Sequence, residues 1–114
     1  MADLVIETET THPATIVRMK GWAGLSQQAT LDREVTRLSA AAHALLVLDL
    51  SELSGLTSLA VSQFVMLHRA VRSRGGQIRI GGCSDEVRLV LERCKLDSVI
   101  PIFGSVDDAI AAQV

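Results

Sequence analysis

The chain has 114 residues, of which 48% are hydrophobic and 21% charged, and its formal net charge at pH 7 is −2. This length suits a single globular domain over residues 1–114, and the composition excludes a disordered chain. The near-neutral charge and an aromatic content of only 3% argue against a nucleic-acid binder, which normally carries a basic surface and stacking aromatic side chains.

The first two predicted elements are strands over residues 4–9 and 14–20, both rich in β-branched side chains. The turn-like Thr11-His12-Pro13 between them favours an antiparallel hairpin. Residues 21–24, which begin and end with glycine, are predicted to close the second strand as a loop.

From Ser26 the hydrophobic period changes from two to between three and four. This spacing predicts an amphipathic helix with the apolar stripe Leu31, Val35, Leu38 and Ala42. Residues 45–50 are almost uniformly apolar, which is typical of a central strand covered on both faces.

A second helix is predicted to begin at Thr57 or Ser58 and to end at the basic, glycine-containing residues 72–76. Its buried stripe is predicted to comprise Ala60, Phe64, Leu67 and Val71, widened by Val61, Val65 and His68. A strand over residues 77–81 follows.

The last third of the chain predicts two further helices around a short strand. Ser84 can cap a helix with the stripe Val87, Val90, Leu91 and Cys94. Pro101 confines the strand over residues 99–103 to an edge or an end, and residues 105–108 resemble a capping box that opens the final helix. The order β-β-α-β-α-β-α-β-α predicts an α/β domain with a mixed sheet.

Catalytic chemistry is not indicated. The Gly-Gly pairs at residues 75–76 and 81–82 fit neither a P-loop nor a dinucleotide fingerprint. Cys83 and Cys94 have no metal-ligand spacing with the three histidines, so we interpret them as small buried hydrophobic side chains, with a redox pair as the alternative. His68 lies three helical turns beyond Ser58, too far for a nucleophile pair. We expect no enzyme activity, metal or cofactor.

We expect no signal peptide, because the first residues of the sequence carry neither a basic region nor a long apolar stretch. The longest weakly polar run, residues 53–68, is interrupted by polar side chains and is shorter than the ~20 residues that span a bilayer. We therefore expect a cytoplasmic protein without direct membrane insertion.

Ser58 has two interpretations. Its hydroxyl can cap the second helix by accepting a backbone N–H of the first turn. Alternatively, a phosphate esterified to Ser58 would be favoured by the free N–H groups of the helix start. That charge would displace any partner docked on a neighbouring uncharged surface, which we predict to comprise Leu56, Thr57, Leu59, Ala60 and Val61.

Over essentially its whole length the chain resembles a STAS domain, the fold of bacterial anti-sigma factor antagonists. The likeness is carried by residues 48–51, by the hydroxyl-bearing helix start, by residues 74–78 and 84–87, and most of all by the tail from Leu96 through residues 100–105 to Ala109. The resemblance implies the same element order and a non-enzymatic regulator of transcription.

The family typically carries Asp-Ser-Ser-Gly-Leu at this helix start, and the first serine accepts phosphate from an anti-sigma factor kinase. The corresponding residues here are Thr57-Ser58-Leu59-Ala60-Val61, so Ser58 matches the phosphoacceptor. The resemblance implies partner switching, with a serine kinase as partner and a phosphatase that reverses the modification.

A second departure lies in the loop after the second strand, where the family often has Gly-Glu-Leu-Asp and this chain has Gly21-Trp22-Ala23-Gly24. Trp22 is predicted either to anchor an interface or to fold back over the sheet edge. An exposed Trp22 would favour a partner, including a second copy of the chain.

These departures leave two other functions open. One is a divergent STAS scaffold or assembly subunit, such as the cytoplasmic component of a lipid-transport complex. The other is a small enzyme or nucleotide-binding domain, which the absence of a phosphate loop disfavours.

Overall fold

The sheet of this protein has five strands, and the computed structural model describes residues 3–112. The strands lie side by side in the order β1-β2-β3-β4-β5. β1 pairs with β2 antiparallel, whereas β2–β3, β3–β4 and β4–β5 are parallel, so the sheet is mixed as predicted. The strands are β1 (Val5–Thr11), β2 (Ala14–Ala23), β3 (Leu45–Leu56), β4 (Gln77–Cys83) and β5 (Ile102–Phe103).

In residues 3–112, four α-helices alternate with the parallel strands and complete the predicted order β-β-α-β-α-β-α-β-α. They are α1 (Gln28–Ser39), α2 (Ser58–Ser73), α3 (Asp85–Arg93) and α4 (Val106–Ala111), and short 3₁₀ helices precede α1 and β5. Within residues 3–112, none of the helices combines the length and apolarity that crossing a bilayer requires.

The main core lies between one face of the sheet and helices α1, α2 and α3. Alternate residues of β3 point into it, because successive side chains of a strand face opposite sides. The stripes predicted for α1 and α2 meet these residues there, with Phe64 fully buried. On the other face, α4 covers a smaller cluster around Ile16, Val47 and Ala109.

β2 and β3 are longer than predicted, which corrects the expectation that residues 21–24 form a loop. β3 continues to Leu56, and β2 pairs with it through Trp22↔Gly55 and Ala23↔Leu56 after two register shifts. The extension arises from pairing between two distant segments, which local composition does not encode. It brings Trp22 beside the segment that leads into α2.

Two smaller expectations at the helix ends are wrong. α1 ends at Ser39, so Ala42 lies beyond it and is exposed. Cys94 is exposed because it is the C-terminal cap of α3, and Cys83, at the end of β4, is only half-buried. Both thiols are free; the side chain of Cys83 packs against the main core, whereas Cys94 lies outside it.

Candidate functional site

Thr57, and not Ser58, caps helix α2. The backbone of Thr57 is extended (φ −93°, ψ 166°), as is typical of an N-cap residue. Its Oγ1 accepts a hydrogen bond from the backbone N–H of Ala60 at 3.3 Å. The carbonyl of Thr57 also accepts the first helical bond, from the N–H of Val61 at 3.2 Å. The interpretation of Ser58 as the capping hydroxyl is therefore wrong by one residue.

Ser58 is the first residue of α2, and its side chain is exposed. Among residues 3–112, no hydrogen bond engages its hydroxyl or the backbone N–H groups of Ser58 and Leu59. Free N–H groups and the positive end of the helix dipole favour a negative group at such a position. The first turn of α2 contains no acidic residue that would repel it.

Most of the predicted apolar docking surface is buried in the core. Leu56, Ala60 and Val61 are only 6%, 0% and 3% exposed, so their assignment as surface residues is wrong. They pack α2 against the sheet, because a helix that starts directly after a strand turns its first apolar residues inward. Leu59 remains as an exposed apolar side chain, at 49%, and Thr57 is half-buried.

The end of β2 lies directly beside the start of α2. The backbone N–H of Thr57 donates to the carbonyl of Ala23 at 3.1 Å, and the hydroxyl of Ser54 donates to the carbonyl of Gly21 at 2.8 Å. The accessible residues of these two segments are Gly21, Trp22, Thr57, Ser58 and Leu59, and we call the surface that they form the α2-start surface. Its exposed members include Ser58 and Leu59.

The indole ring of Trp22 lies over two glycines. A Cβ atom at Gly55 would lie 2.6 Å from Cε3 of the ring, and one at Gly24 would lie 2.7 Å from Cδ1. Trp22 is thus half-buried, with its ring packed on the backbone of its own chain. The role of Gly55 was not predicted, although a glycine inside a strand often marks such a close approach.

Replacing Gly55 by alanine is expected to destabilise the protein by about 1–3 kcal/mol, because the added methyl group overlaps the Trp22 ring. Urea denaturation measures the loss. The double variant Gly55→Ala/Trp22→Ala should cost less than the sum of the two single variants, and strict additivity would contradict this packing.

Replacing Thr57 by alanine removes the side-chain cap of α2. We expect the free energy of unfolding to fall by about 1 kcal/mol, and Thr57→Ser to retain most of it. Ser58→Ala is the matched control in the same denaturation series, because its hydroxyl makes no such bond. A larger loss for Ser58→Ala than for Thr57→Ala would contradict the assignment of the cap.

His68 lies on α2 ten residues after Ser58, about 15 Å along the helix axis. The pKa of its imidazole is lowered, mainly by burial and further by the positive charges of Arg72 and Arg69. The structure does not bring His68 to Ser58, in agreement with the sequence analysis.

The face of the sheet that is not covered by α2 carries an open groove of about 510 Å³ beside α4. The guanidinium of Arg18 lines this groove and forms ion pairs with the carboxylates of Glu9 and Asp49, at nitrogen–oxygen distances of 2.7 Å and 3.5 Å. The hydrogen bond to Glu9 is the main cause that raises the pKa of Arg18. These groups satisfy one another, and none of them adjoins the α2-start surface.

Solved structures with the same fold come from two functional settings. An anti-sigma factor antagonist from Mycobacterium paratuberculosis is 18% identical, with a TM-score of 0.86 over 95% of this chain and 92% of that one. The Bacillus cell fate determinant SpoIIAA in its phosphorylated form is 17% identical, with a TM-score of 0.68 over 93% and 96% of the two chains. The STAS domain of a SulP transporter from Vibrio cholerae is 11% identical, with a TM-score of 0.67 over 90% and 82%.

At these identities the likeness to solved structures establishes the fold alone. No curated protein matches the sequence. The family model of the STAS domain matches residues 5–109, which is most of the chain. The chain therefore belongs to the STAS domain family, as its sequence predicts.

Proposed function

We propose that this protein is a non-enzymatic regulator of transcription in the bacterial cytoplasm, an anti-sigma factor antagonist. It binds an anti-sigma factor with serine-kinase activity through the α2-start surface. The observation that carries the proposal is the exposed hydroxyl of Ser58 at the first position of α2, unengaged by any residue of the described chain, in a STAS domain.

Phosphorylation of Ser58 is the proposed switch. The kinase transfers the γ-phosphoryl group of ATP to Oγ of Ser58, and ADP and the hydroxyl proton leave. The phosphate adds about −1.5 to −2 charges beside the free N–H groups of the first turn, which the fold tolerates. A partner docked on Leu59 and its surroundings would have to bury this charge, so it dissociates, and a phosphatase restores binding.

Three departures from the family pattern are compatible with this switch. Thr57 stands where the family has aspartate, but threonine is also a favoured N-cap and accepts the expected bond from Ala60. Ala60 replaces the family's glycine at a fully buried helical position, where alanine is the better helix former. Leu59 replaces the second serine of the family motif, so Ser58, which matches the first serine, is the only serine of the motif that this chain retains.

The test is incubation of the purified protein with candidate anti-sigma factor kinases and ATP, followed by mass spectrometry of the intact chain and its peptides. We expect one phosphate, located on Ser58, and none on the Ser58→Ala variant. Phosphate on Ser73 instead, or no phosphate with any kinase that binds the protein, would contradict the proposal.

The second candidate function is a STAS scaffold that serves as an assembly subunit, for example of a lipid-transport complex. The apolar Leu59 and the half-buried Trp22, where the family has polar residues, favour this alternative. Co-purification with a transporter ATPase, without a kinase, would select it. A second copy of this chain as the only partner would instead indicate a homodimer.

A further inference from the structure

β1 forms one outer edge of the sheet, and half of its backbone groups face outward. Within residues 3–112 it pairs only with β2, whereas the other outer strand, β5, has just two residues. A two-residue turn joins β1 to β2, so Thr11 and Ala14 exchange both of their hydrogen bonds and the pattern alternates from there. The N–H and C=O groups of Ile6, Thr8 and Thr10 therefore point away from β2, and the described chain offers them no partner.

Little protects this outer side of β1, which we call the β1 edge, from another strand. Proteins commonly blunt a sheet edge with a very short strand, a proline, a bulge or charged side chains. β1 has seven residues in regular register and contains neither a proline nor a bulge. Its two charged side chains, Glu7 and Glu9, are each paired with a base on β2. The β1 edge is therefore open to the addition of a strand.

The charges on the face of the sheet that carries α4 alternate in sign from strand to strand. In one row, Arg18 of β2 lies between Glu9 of β1, at 2.7 Å, and a carboxylate of β3, at 3.5 Å. In the next row, Lys20 lies between Glu7 of β1, at 3.2 Å, and Glu52 of β3, at 3.6 Å. Each row thus has two acids for one base, and a basic side chain on the outer side of β1 would balance it.

The two glutamates can accept such a base. Each uses Oε1 for its ion pair with β2, which leaves Oε2 as an acceptor, and their side chains are 57% and 54% exposed for Glu7 and Glu9. A second copy of this chain fits poorly, because two β1 strands paired antiparallel about Thr8 would place Glu7 of each copy opposite Glu9 of the other. Like charges directly opposite one another destabilise a strand pair.

We infer that the β1 edge binds an extended segment of a partner protein in which two lysine or arginine residues are separated by one residue. Side chains two residues apart lie on the same face of a strand, so this spacing presents both bases to Glu7 and Glu9. Main-chain hydrogen bonds supply the affinity of such strand addition, and alternate side chains supply its specificity. The inference does not rest on the proposed function, because Glu9 lies opposite Ile16, six residues along β2 from Trp22 of the α2-start surface.

The test is an NMR titration of the full-length, isotope-labelled protein with the end-capped peptide Thr-Lys-Thr-Lys-Thr-Lys-Thr. We expect saturable shifts and slower hydrogen exchange at the backbone amides of Ile6, Thr8 and Thr10, with a dissociation constant of about 1 mM or below. The same peptide with methylated backbone amides keeps its charges but cannot donate hydrogen bonds, so we expect it not to bind. Equal binding of both peptides, or no saturable shift at these amides, would overturn the inference. The same shifts on concentrating the protein alone would assign the edge to a second copy and also overturn it.

The matched variants are the doubles Glu7→Gln/Glu9→Gln on β1 and Glu86→Gln/Glu92→Gln on α3, which each remove two charges from exposed positions. We expect the β1 double variant to weaken peptide binding about five- to tenfold, because two cross-strand ion pairs are lost and the bases of β2 then repel the lysines. The α3 double variant should weaken it less than twofold. Equal effects of the two variants would show general charge attraction and overturn the site.

Discussion

Ser58→Asp is expected to weaken binding of the proposed anti-sigma factor partner by about 100-fold or more. The side chain of residue 58 is exposed at the start of α2, next to the exposed Leu59, so a docked partner has to bury the new carboxylate. An uncompensated charge in an interface costs about 3–5 kcal/mol, and each 1.4 kcal/mol is a factor of ten in affinity. Calorimetric titration with the purified partner measures the change.

The matched control is Ser73→Asp, which places the same charge at the far end of α2, about 22 Å from residue 58. Ser73 is also exposed, and its hydroxyl donates to the carbonyl of Ala70 at 2.8 Å. We expect this variant to bind the partner within about twofold of the parent protein. An unchanged affinity for Ser58→Asp, or an equal loss for both variants, would contradict docking at the α2-start surface.

Phe64→Ala is expected to lower the free energy of unfolding by about 3–5 kcal/mol. Phe64 is fully buried at the centre of the main core, where α2 packs on the sheet. Removing its ring loses the transfer free energy of the side chain and leaves a cavity that the surrounding leucines fill only in part. Urea denaturation followed by circular dichroism measures the loss.

Met66 provides the control on the same helix, because its side chain is 54% exposed. Met66→Ala should change the free energy of unfolding by no more than about 0.5 kcal/mol. A similar loss for both variants would mean that α2 presents a different face to the sheet. Ser58 and Phe64 belong to the same rigid helix. The direction in which Ser58 points is therefore set by the face of α2 that packs on the sheet.

The order of strands and helices was predictable because, in each segment, the spacing of the hydrophobic residues and the residues at its two ends indicated the same type of element. In α2, Ala60, Phe64, Leu67 and Val71 all lie on the buried face, and Gly75 adopts the left-handed conformation (φ +84°) predicted after the helix end. Ser84 and Ser105 accept the N–H groups of Val87 and Asp108, as predicted for caps. Such signals lie within short stretches of the chain, so they can be recognised from the sequence alone.

The details of the site were less predictable, because they depend on contacts between distant segments. Thr57 and Ser58 are both favoured caps, so their types do not decide which of them precedes the helix. The pairing of Trp22 with Gly55 extends both strands and seats the indole ring on a glycine. The burial of Leu56 follows from the same pairing, which no short window of sequence contains.

The most direct test of the central claim uses the modified residue itself. Phosphoserine is incorporated genetically at position 58 in one preparation and at position 73 in another, and both are titrated with the partner that binds the unmodified protein. We predict no measurable binding for the protein phosphorylated at Ser58 and parent-like affinity for the one phosphorylated at Ser73. Parent-like affinity with phosphate on Ser58 would contradict the switch.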